Sequence, residues 1–251
     1  MILFFDPVYK EKIWGAEYWG ISAHPNGMSL IKNGEYKGKT LLYLWDNNRE
    51  IFNNLQKDKF PLLVKIIDAK DDLSVQVHPS DEYAYENENR ELGKTECWYI
   101  LDAKEDADII YGVNAKDKKE LENMIDNKKW DELLNTIPIE KGDFLYIPSG
   151  TVHAIKSGTK ILEIQQNSDT TYRLYDYDRK DDKGNLRQLH IEKSKDVINC
   201  ESPEINKEFK STLIDNNKKT ILVESEFFSV YKYEVKEEIL MENKKPFKII
   251  N

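Results

Sequence analysis

The stretch GDFLYIPSGTVHAI, from Gly142 to Ile155, decides the fold of this 251-residue chain. Its first half has the apolar and aromatic composition of a short strand, which runs up to Pro148. Gly150 then supplies the tight turn that leads into the next strand. His153 opens that second strand. The stretch therefore predicts two strands joined by a tight turn, with an imidazole placed directly after the turn.

Short strands of the same kind extend in both directions from this stretch. The segment LSVQVHP (73–79) alternates apolar and polar residues with a period of two, which is typical of a half-buried strand. Turn residues separate most of the others, which are PLLVKIIDA (61–69), TECWYIL (95–101), IIYGV (109–113), AIKSG (154–158) and KILEIQQN (160–167). The chain is therefore predicted to be mostly β.

Helical patterns interrupt the strands at two places, about 41–55 and 115–136. In the second, Leu121, Met124 and Ile125 recur at spacings of three and four residues, as they do on one face of a helix. We expect this small helical insertion to pack against the outside of the sheet.

The pattern of the chain changes after about residue 200. Residues 201–219 are polar and are predicted to form a linker, and apolar alternation resumes over 221–235. Two or three strands cannot close a barrel by themselves. We therefore predict a main domain over 1–200 and an incomplete β module over 220–251.

Composition argues against several classes of function. The net charge of −9 opposes a nucleic-acid interface, which needs a basic face. No apolar run approaches the ~20 residues of a membrane span, and the first residues become charged too early for a signal peptide. Cys97 and Cys200 form no CxxC pair, and Cys97 is predicted to be a core thiol. We expect a cytoplasmic protein with no nucleic-acid or membrane partner, present as a monomer or weak homodimer.

Two pairs of polar residues are placed to share strand faces. Side chains two residues apart on a strand point to the same side. Gln76 and His78 therefore project together, and so do Lys94 and Glu96. The histidines outside the motifs have no partner at ligand spacing and are interpreted as structural, although His24 is suited to line the mouth of a cleft.

The spacing G-x5-P-x-G-x2-H over Gly142–His153 resembles the second metal-binding motif of cupin barrels. The first cupin motif usually offers HxH and a later Glu, and this chain has Gln76-x-His78 with Glu96 following 18 residues later. Two imidazoles, one carboxylate and one amide oxygen can bind a divalent metal and leave a coordination position open. The cupin resemblance thus implies a metal site at Gln76, His78, Glu96 and His153.

A further segment, EIQQNSDTTYRLYDYDR (163–179), is denser in polar and aromatic residues than a core strand requires. Within it, Arg173 carries a planar, permanently charged guanidinium that suits an oxyanion. The structural alternative is an ion pair between Arg173 and Asp176 or Asp178.

Four segments together resemble the type I phosphomannose isomerases, most closely their short bacterial form: QVHPSD, GKTECWY, IPSGTVHAI and QQNSDTTYRLYDYDR. The resemblance runs from about Phe5 to the end of the chain. It implies a cupin (jelly-roll-like) barrel as the catalytic domain, part of a second cupin-like module, and one zinc ion per chain.

The resemblance also assigns roles to single positions. The zinc ligands of the family fall on Gln76, His78, Glu96 and His153. Its catalytic residues fall on Arg173, Lys94 and Asp169, the last with a role in proton handling. Its substrate-binding positions fall on Ser74, Lys65 and again Lys94.

The implied reaction is the interconversion of mannose 6-phosphate and fructose 6-phosphate through a cis-enediol, with zinc as Lewis acid. The residues do not fix the general base, for which Asp169, His78 and a metal-bound water are alternatives. Two other functions stay open: a non-catalytic sugar-phosphate-binding paralogue, and another cupin metalloenzyme. The full ligand set, together with Arg173, favours the isomerase.

Overall fold

The structure is a computed structural model that describes residues 1–180, 183–201, 203–240 and 246–250. Its strands, in chain order, are β1 Phe5–Asp6, β2 Val8–Lys12, β3 Gly15–Ile21, β4 Ala23–His24, β5 Gly27–Met28, β6 Leu30–Ile31, β7 Leu62–Ala69, β8 Val75–Val77, β9 Glu96–Ala103, β10 Asp108–Val113, β11 Leu134–Pro138, β12 Phe144–Ile147, β13 His153–Ala154, β14 Thr159–Gln166, β15 Tyr172–Tyr175, β16 Ser211–Ile214, β17 Asn217–Glu224 and β18 Ser229–Glu234. Its helices are α1 Leu41–Asn47, α2 Asp81–Asn87, α3 Lys118–Asp126, α4 Trp130–Leu133 and α5 Ile191–Val197, with a 3-10 helix at Arg49–Phe52.

Two antiparallel sheets form the body of the protein. One has the strand order β12-β9-β14-β7-β3-β2, and the other has the order β11-β10-β13-β8-β15. A shared apolar core lies between them and takes residues from both, including Trp98, Ile100, Ile109, Tyr111 and Ile161. This arrangement confirms the predicted mostly β, jelly-roll-like class. In the described part of the chain the hydrogen bonds keep the two sheets separate, so the barrel is not closed.

Helices cover the outer face of the five-stranded sheet, as the amphipathic pattern predicted. Leu121 and Ile125 of α3 and Leu133 of α4 belong to one buried apolar cluster with Val75 and Val77 of β8. Among the described residues, no helix combines the length and the apolar character that crossing a membrane demands.

The predicted helical segments are longer than the observed helices. Residues 134–136 were expected to be helical but belong to β11, whose Thr136 and Ile137 pair with Ile110 and Ile109 of β10. The apolar spacing of this region continues into the strand, and sheet pairing overrides the local helical preference there.

Two short helices, α2 and α5, were not predicted. The α2 helix carries mostly polar residues and has only one fully buried side chain, that of Ala84. Its clearest sequence signal is Ser80, whose side chain accepts a hydrogen bond from the backbone N–H of Tyr83 and so caps the helix.

A three-stranded sheet, β16-β17-β18, follows the main body. The predicted linker over 201–219 is therefore too long, because β16 begins at Ser211 and pairs with β17. All four residues of β16 are exposed. Because neither face of the strand is buried, its sequence does not alternate between apolar and polar residues. The division of the chain into a main domain and a C-terminal module stays a prediction.

Candidate active site

The four candidate metal ligands come from both large sheets. Gln76 lies in β8 and His78 follows that strand by one residue, while His153 begins β13 and pairs directly with Gln76. Glu96 begins β9 in the opposite sheet. The site therefore lies between the sheets at one end of the shared core, where the strands of each sheet begin or end.

The turn predicted from Gly150 fixes His78 relative to His153. Gly150 has φ +86°, and a Cβ at this position would lie 2.9 Å from the carbonyl oxygen of Val197. Its backbone N–H donates to the carbonyl of His78 at 2.8 Å, and its own carbonyl accepts from the N–H of Asn199 at 2.9 Å. The turn is therefore tied both to a ligand strand and to the end of α5.

The distances between the donor atoms suit a single small cation. His78 Nε2 lies 3.5 Å from one oxygen of Glu96, and His153 Nε2 lies 3.4 Å from the other. The Gln76 amide approaches His153 Nε2 at 3.4 Å, and rotation of the amide exchanges its nitrogen for its oxygen. Donors held tetrahedrally at bonds of about 2.0–2.1 Å stand about 3.4 Å apart, which agrees with these separations.

The protonation states also fit a divalent cation. Desolvation lowers the pKa of both imidazoles, and Lys94 lowers that of His78 further. His153 donates its Nδ1 proton to the carbonyl of Thr151 at 2.9 Å, which leaves the Nε2 lone pair free.

Glu96 completes the donor set with a negative charge. Desolvation alone would raise its pKa, but Lys94 and His153 outweigh that effect, and its pKa is lowered. The carboxylate is fully buried, and apart from the Lys94 ammonium neither oxygen has a hydrogen-bond donor among the described residues. Two neutral imidazoles, an ionised carboxylate with free lone pairs and an amide thus fit a divalent metal.

Lys94 contacts two of these donors. Its buried Nζ lies 2.8 Å from Glu96 Oε2 and 2.9 Å from His78 Nε2. The structure therefore places this lysine beside the ligand set, as the pairing of Lys94 with Glu96 on one strand face predicted. A cation bound here and the Lys94 ammonium would compete for the same imidazole lone pair.

Arg173 lies in β15, directly across from Gln76 of the neighbouring strand. Its Nε donates to the hydroxyl of Ser74 at 3.3 Å, and its Nη1 donates to the carbonyl of Gln188 at 2.8 Å. Its backbone N–H donates to Nδ1 of His190 at 3.1 Å. The guanidinium is therefore held in a fixed orientation close to the ligand strand, with Ser74 beside it.

The structural alternative for Arg173, an ion pair with Asp176, is not realised. Asp176 instead accepts hydrogen bonds from Arg187, one of them at 2.7 Å, and from Arg179 at 3.2 Å. Within the described ranges no carboxylate forms an ion pair with Arg173, so its charge stays available to an anion.

Lys65 is placed differently from the other predicted substrate contacts. It lies on the inner face of β7, where its buried Nζ pairs with Glu163 Oε1 at 2.8 Å. Desolvation would lower its pKa, but Glu163 and Glu17 outweigh this and raise it, so Lys65 is charged. A buried ion pair, rather than an open cleft wall, is the environment of Lys65.

Asp169 is an exposed residue that follows β14. Its Oδ2 accepts a hydrogen bond from the side-chain amide of Asn26 at 2.9 Å. Desolvation opposes ionisation, but the Asn26 contact and the charges of Lys65 and Lys94 outweigh it and lower the pKa of Asp169. The carboxylate is therefore ionised at neutral pH and faces the same charged groups as the ligand set.

Sequence reasoning missed Glu163 and Asn26. Glu163 shares the inner face of β14 with Ile161 and Gln165, and a carboxylate between inward positions of a core strand was the available signal. Asn26 had no such signal, because its partner Asp169 lies 143 residues away in the sequence.

Comparison with known proteins assigns this chain to a family. A family model described as the catalytic domain of type I phosphomannose isomerase matches residues 4–102. ManA, a mannose-6-phosphate isomerase of Bacillus subtilis (strain 168), is 51% identical over a gapped alignment of 265 positions, which covers 99% of this chain and 84% of that protein. The chain belongs to the type I phosphomannose isomerase family.

Other phosphomannose isomerases agree with this assignment. The mannose-6-phosphate isomerase of Streptococcus mutans is 49% identical over a gapped alignment of 266 positions, which covers 99% of this chain and 84% of that protein. The crystal structure of the Bacillus subtilis enzyme superposes with a TM-score of 0.93 at 46% identity, over 97% of this chain and 83% of that one. A putative mannosephosphate isomerase from Archaeoglobus fulgidus shares the fold, with a TM-score of 0.64 at 22% identity, over 87% of this chain and 76% of that one. The predicted family and its cupin-like fold are confirmed.

Proposed function

We propose that this protein is a zinc-dependent isomerase that interconverts mannose 6-phosphate and fructose 6-phosphate through a cis-enediol. The observation that carries the proposal is the convergence of His78, Glu96 and His153, whose donor atoms all lie within 4.8 Å of one another. Arg173, which has no ion-paired carboxylate among the described residues, lies on β15 directly across from Gln76. Relatives named mannose-6-phosphate isomerase support the choice of substrate.

Zinc is the proposed ion because it accepts nitrogen and oxygen donors together and can expand from four to five ligands, so that four protein donors would still leave room for the substrate. Gln76, His78, Glu96 and His153 would hold it. The bound ion would supply Lewis-acid stabilisation of negative charge that develops on the substrate oxygens.

The reaction moves one proton between two neighbouring carbons. In the direction from the aldose, the C2–H bond breaks and its electron pair forms the C1–C2 double bond, so that negative charge develops on the C1 oxygen. The O2 proton then passes to the C1 oxygen, the C2=O carbonyl forms, and the electron pair of the C1–C2 double bond takes up the carried proton at C1. We propose Asp169 as the group that takes and returns the carbon-bound proton, because it is ionised and is not a metal ligand.

Positive side chains would stabilise the charge that this transfer creates. Arg173 and Lys94 are proposed to face the C1 and C2 oxygens, where fixed charges lower the barrier most. Ser74, which accepts from Arg173, is proposed to orient the guanidinium and to contact the sugar phosphate. We propose that Lys65 contributes positive potential to the substrate from its pair with Glu163.

A coupled assay tests the proposal. Purified protein is given mannose 6-phosphate, fructose 6-phosphate is read out, and the run is repeated after chelation and after zinc or ferrous iron is added back. We expect activity to fall on chelation and to return with zinc. Recovery with iron alone would indicate another cupin metalloenzyme, and calorimetric binding of mannose 6-phosphate without turnover would indicate a non-catalytic binding protein.

Arg173→Lys separates catalysis from binding within the same assay. Lysine keeps the charge but lacks the planar guanidinium that donates from Nε to Ser74 and from Nη1 to Gln188, so we expect kcat to fall by about 100-fold while zinc content is unchanged. The matched control is Arg49→Lys, whose guanidinium lies 3.8 Å over the ring of Trp45, away from the ligands. Equal activity of the two variants would remove Arg173 from the proposed site.

A further inference from the structure

We propose that Asn26 is a positioning residue for Asp169, and that it holds the Asp169 carboxylate in the orientation needed for proton transfer. The inference rests on the proposed function, since it takes Asp169 as the proton carrier. Its geometric basis is the hydrogen bond from Asn26 Nδ2 to Asp169 Oδ2 at 2.9 Å, made between segments 143 residues apart.

A small hairpin carries Asn26 to this position. Strands β4 and β5 pair Ala23 with Met28 and His24 with Gly27, so Asn26 sits in the turn between them. The backbone N–H of Asn26 donates to Nδ1 of His24 at 3.1 Å. The turn is therefore closed on itself, and the Asn26 side chain is left to reach across to Asp169.

Buried hydroxyl groups fix the hairpin to the main sheet. The Ser22 hydroxyl accepts from the N–H of His24 at 3.2 Å, and the Ser29 hydroxyl accepts from the N–H of Ser22 at 3.0 Å. Ser29 in turn donates to the carbonyl of Trp19 at 3.3 Å. Both serines are completely buried. Such a network makes the hairpin a rigid support, because buried polar groups that are paired are costly to separate.

The hairpin also packs closely on the sheet below it. A Cβ at Gly27 would lie 3.1 Å from Cε of Lys10 and 3.2 Å from Cε3 of Trp19. The rings of Trp19 and His24 meet edge-on, with their centroids 6.1 Å apart. Lys10 Nζ lies 3.5 Å from the centroid of the Trp19 ring. Asn26 therefore has little freedom to move away from Asp169.

Several charged groups face Asp169 besides Asn26. Lys65 of β7, Lys94 before β9, Lys10 of β2 and His24 of β4 attract its negative charge, whereas Glu17 of β3 repels it. These charges act at a distance and set no orientation. The Asn26 amide makes a direct bond to one oxygen, so it fixes the direction in which the other oxygen points.

The test compares Asn26→Ala with wild-type, zinc-loaded protein. A base must be ionised to act, so activity is lost as pH falls through the pKa of Asp169. Removal of a donor to the charged carboxylate raises that pKa, and we expect the acid limb of kcat/KM to move up by about half to one pH unit. We expect kcat to fall by about 10-fold, with KM changed less, because the substrate phosphate and the metal are contacted elsewhere.

Asn33→Ala serves as the matched control. Asn33 also bridges two segments through its side-chain amide, accepting from the N–H of Phe4 at 2.7 Å and donating to the carbonyl of Ile2 at 2.9 Å, but it does not contact Asp169. This variant should keep the wild-type kcat and acid limb. A shift of the acid limb in both variants would show a general structural effect and would overturn the inference.

A second measurement does not depend on turnover. The Asp169 carboxyl is titrated by carbon-13 NMR in the wild type and in Asn26→Ala, with its resonance assigned from Asp169→Asn. A higher pKa in Asn26→Ala supports the inference, and an unchanged pKa overturns it. If the wild type does not turn over mannose 6-phosphate, the proposed function fails, while the NMR result still decides whether Asn26 controls Asp169.

Discussion

At the residue scale, Glu96 is the negative charge around which the other titratable groups of the site are arranged. Its carboxylate has no exposed surface and lies within 3.5 Å of His78, His153 and Lys94. A buried charge is tolerated only when it is paired or coordinated, because desolvation costs several kcal/mol. The residue is thus both the anionic member of the candidate ligand set and the buried ion-pair partner of Lys94.

Glu96→Gln tests what Glu96 contributes to metal binding and to stability. An amide in place of the carboxylate removes the negative ligand, and we expect purified protein to lose its zinc and its activity to fall by at least about 100-fold. Lys94 loses its buried partner, so the free energy of unfolding should fall by about 3 kcal/mol. Metal content is measured by elemental mass spectrometry and stability by urea unfolding.

Glu91→Gln is the control for that variant. Glu91 pairs with Lys59 at 2.7 Å, but both side chains are more than a third exposed. An exposed pair contributes at most about 1 kcal/mol, and this variant should keep its zinc. Wild-type zinc affinity in Glu96→Gln would contradict the assignment of Glu96 as a ligand.

Some side-chain pairs of the site can be predicted from the sequence, and others cannot. Strand alternation alone placed Gln76 with His78 and Lys94 with Glu96, and the structure brings both pairs to one place. Alternation describes one strand at a time. The pairing of Lys65 with Glu163 depends on which strands become neighbours, and it was therefore not predictable from local spacing.

At the scale of elements, the turn between β12 and β13 holds the two halves of the ligand set in register. Gly150 is the residue that allows it, for two separate reasons. Its positive φ suits glycine, and its α-hydrogen faces the Val197 carbonyl at a distance too short for a methyl group. The turn is therefore specified by close packing against α5 as well as by backbone preference.

Gly150→Ala should lower the free energy of unfolding by more than the positive φ alone explains. The left-handed conformation costs an alanine about 1 kcal/mol, and the 2.9 Å approach to Val197 adds to that, so we expect a loss of about 2–3 kcal/mol in urea unfolding. Zinc affinity should fall too, because the Gly150 N–H anchors the carbonyl of His78.

Gly34→Ala isolates the backbone contribution. Gly34 has φ +68°, and a Cβ there would meet nothing within 4 Å. This variant should lose only about 1 kcal/mol and keep its zinc affinity. If the two variants lose the same free energy, close packing against Val197 is not what specifies the turn.

Helices and strands with a clear hydrophobic pattern of their own are predicted from the sequence. Strands that form only because a neighbouring strand pairs with them are not. The outward-packed helix α3 follows from its own apolar spacing. Strand β11 was mistaken for helix because its identity comes from pairing with β10, and β16 was mistaken for linker because both of its faces are exposed. The competing principle in each case is that strand formation depends on neighbours more than on intrinsic preference.

At the scale of the whole molecule, the C-terminal sheet is joined to the outer face of the six-stranded sheet by an apolar cluster. Phe228, at the start of this contact, is buried with Cys97 and Phe144. Its ring meets Tyr146 at 6.3 Å, and Phe209 meets Phe144 at 5.9 Å. Cys97, predicted as a core thiol, is thus buried beneath the C-terminal sheet, on the face opposite Glu96.

This shared cluster leads us to expect that the C-terminal sheet and the main body unfold together, and Phe228→Ala tests that expectation. Loss of a buried phenylalanine costs about 3–5 kcal/mol, and in a cooperative unit the whole transition moves to lower urea. Tryptophan fluorescence reports on the main body, because all five tryptophans precede residue 131, whereas far-UV circular dichroism reports on every sheet. The two transitions should coincide and shift together.

Leu213→Ala, on the same C-terminal sheet but 78% exposed, should change stability by less than about 0.5 kcal/mol. A fluorescence transition that stays at its wild-type midpoint in Phe228→Ala would instead show that the predicted C-terminal module unfolds as a separate domain.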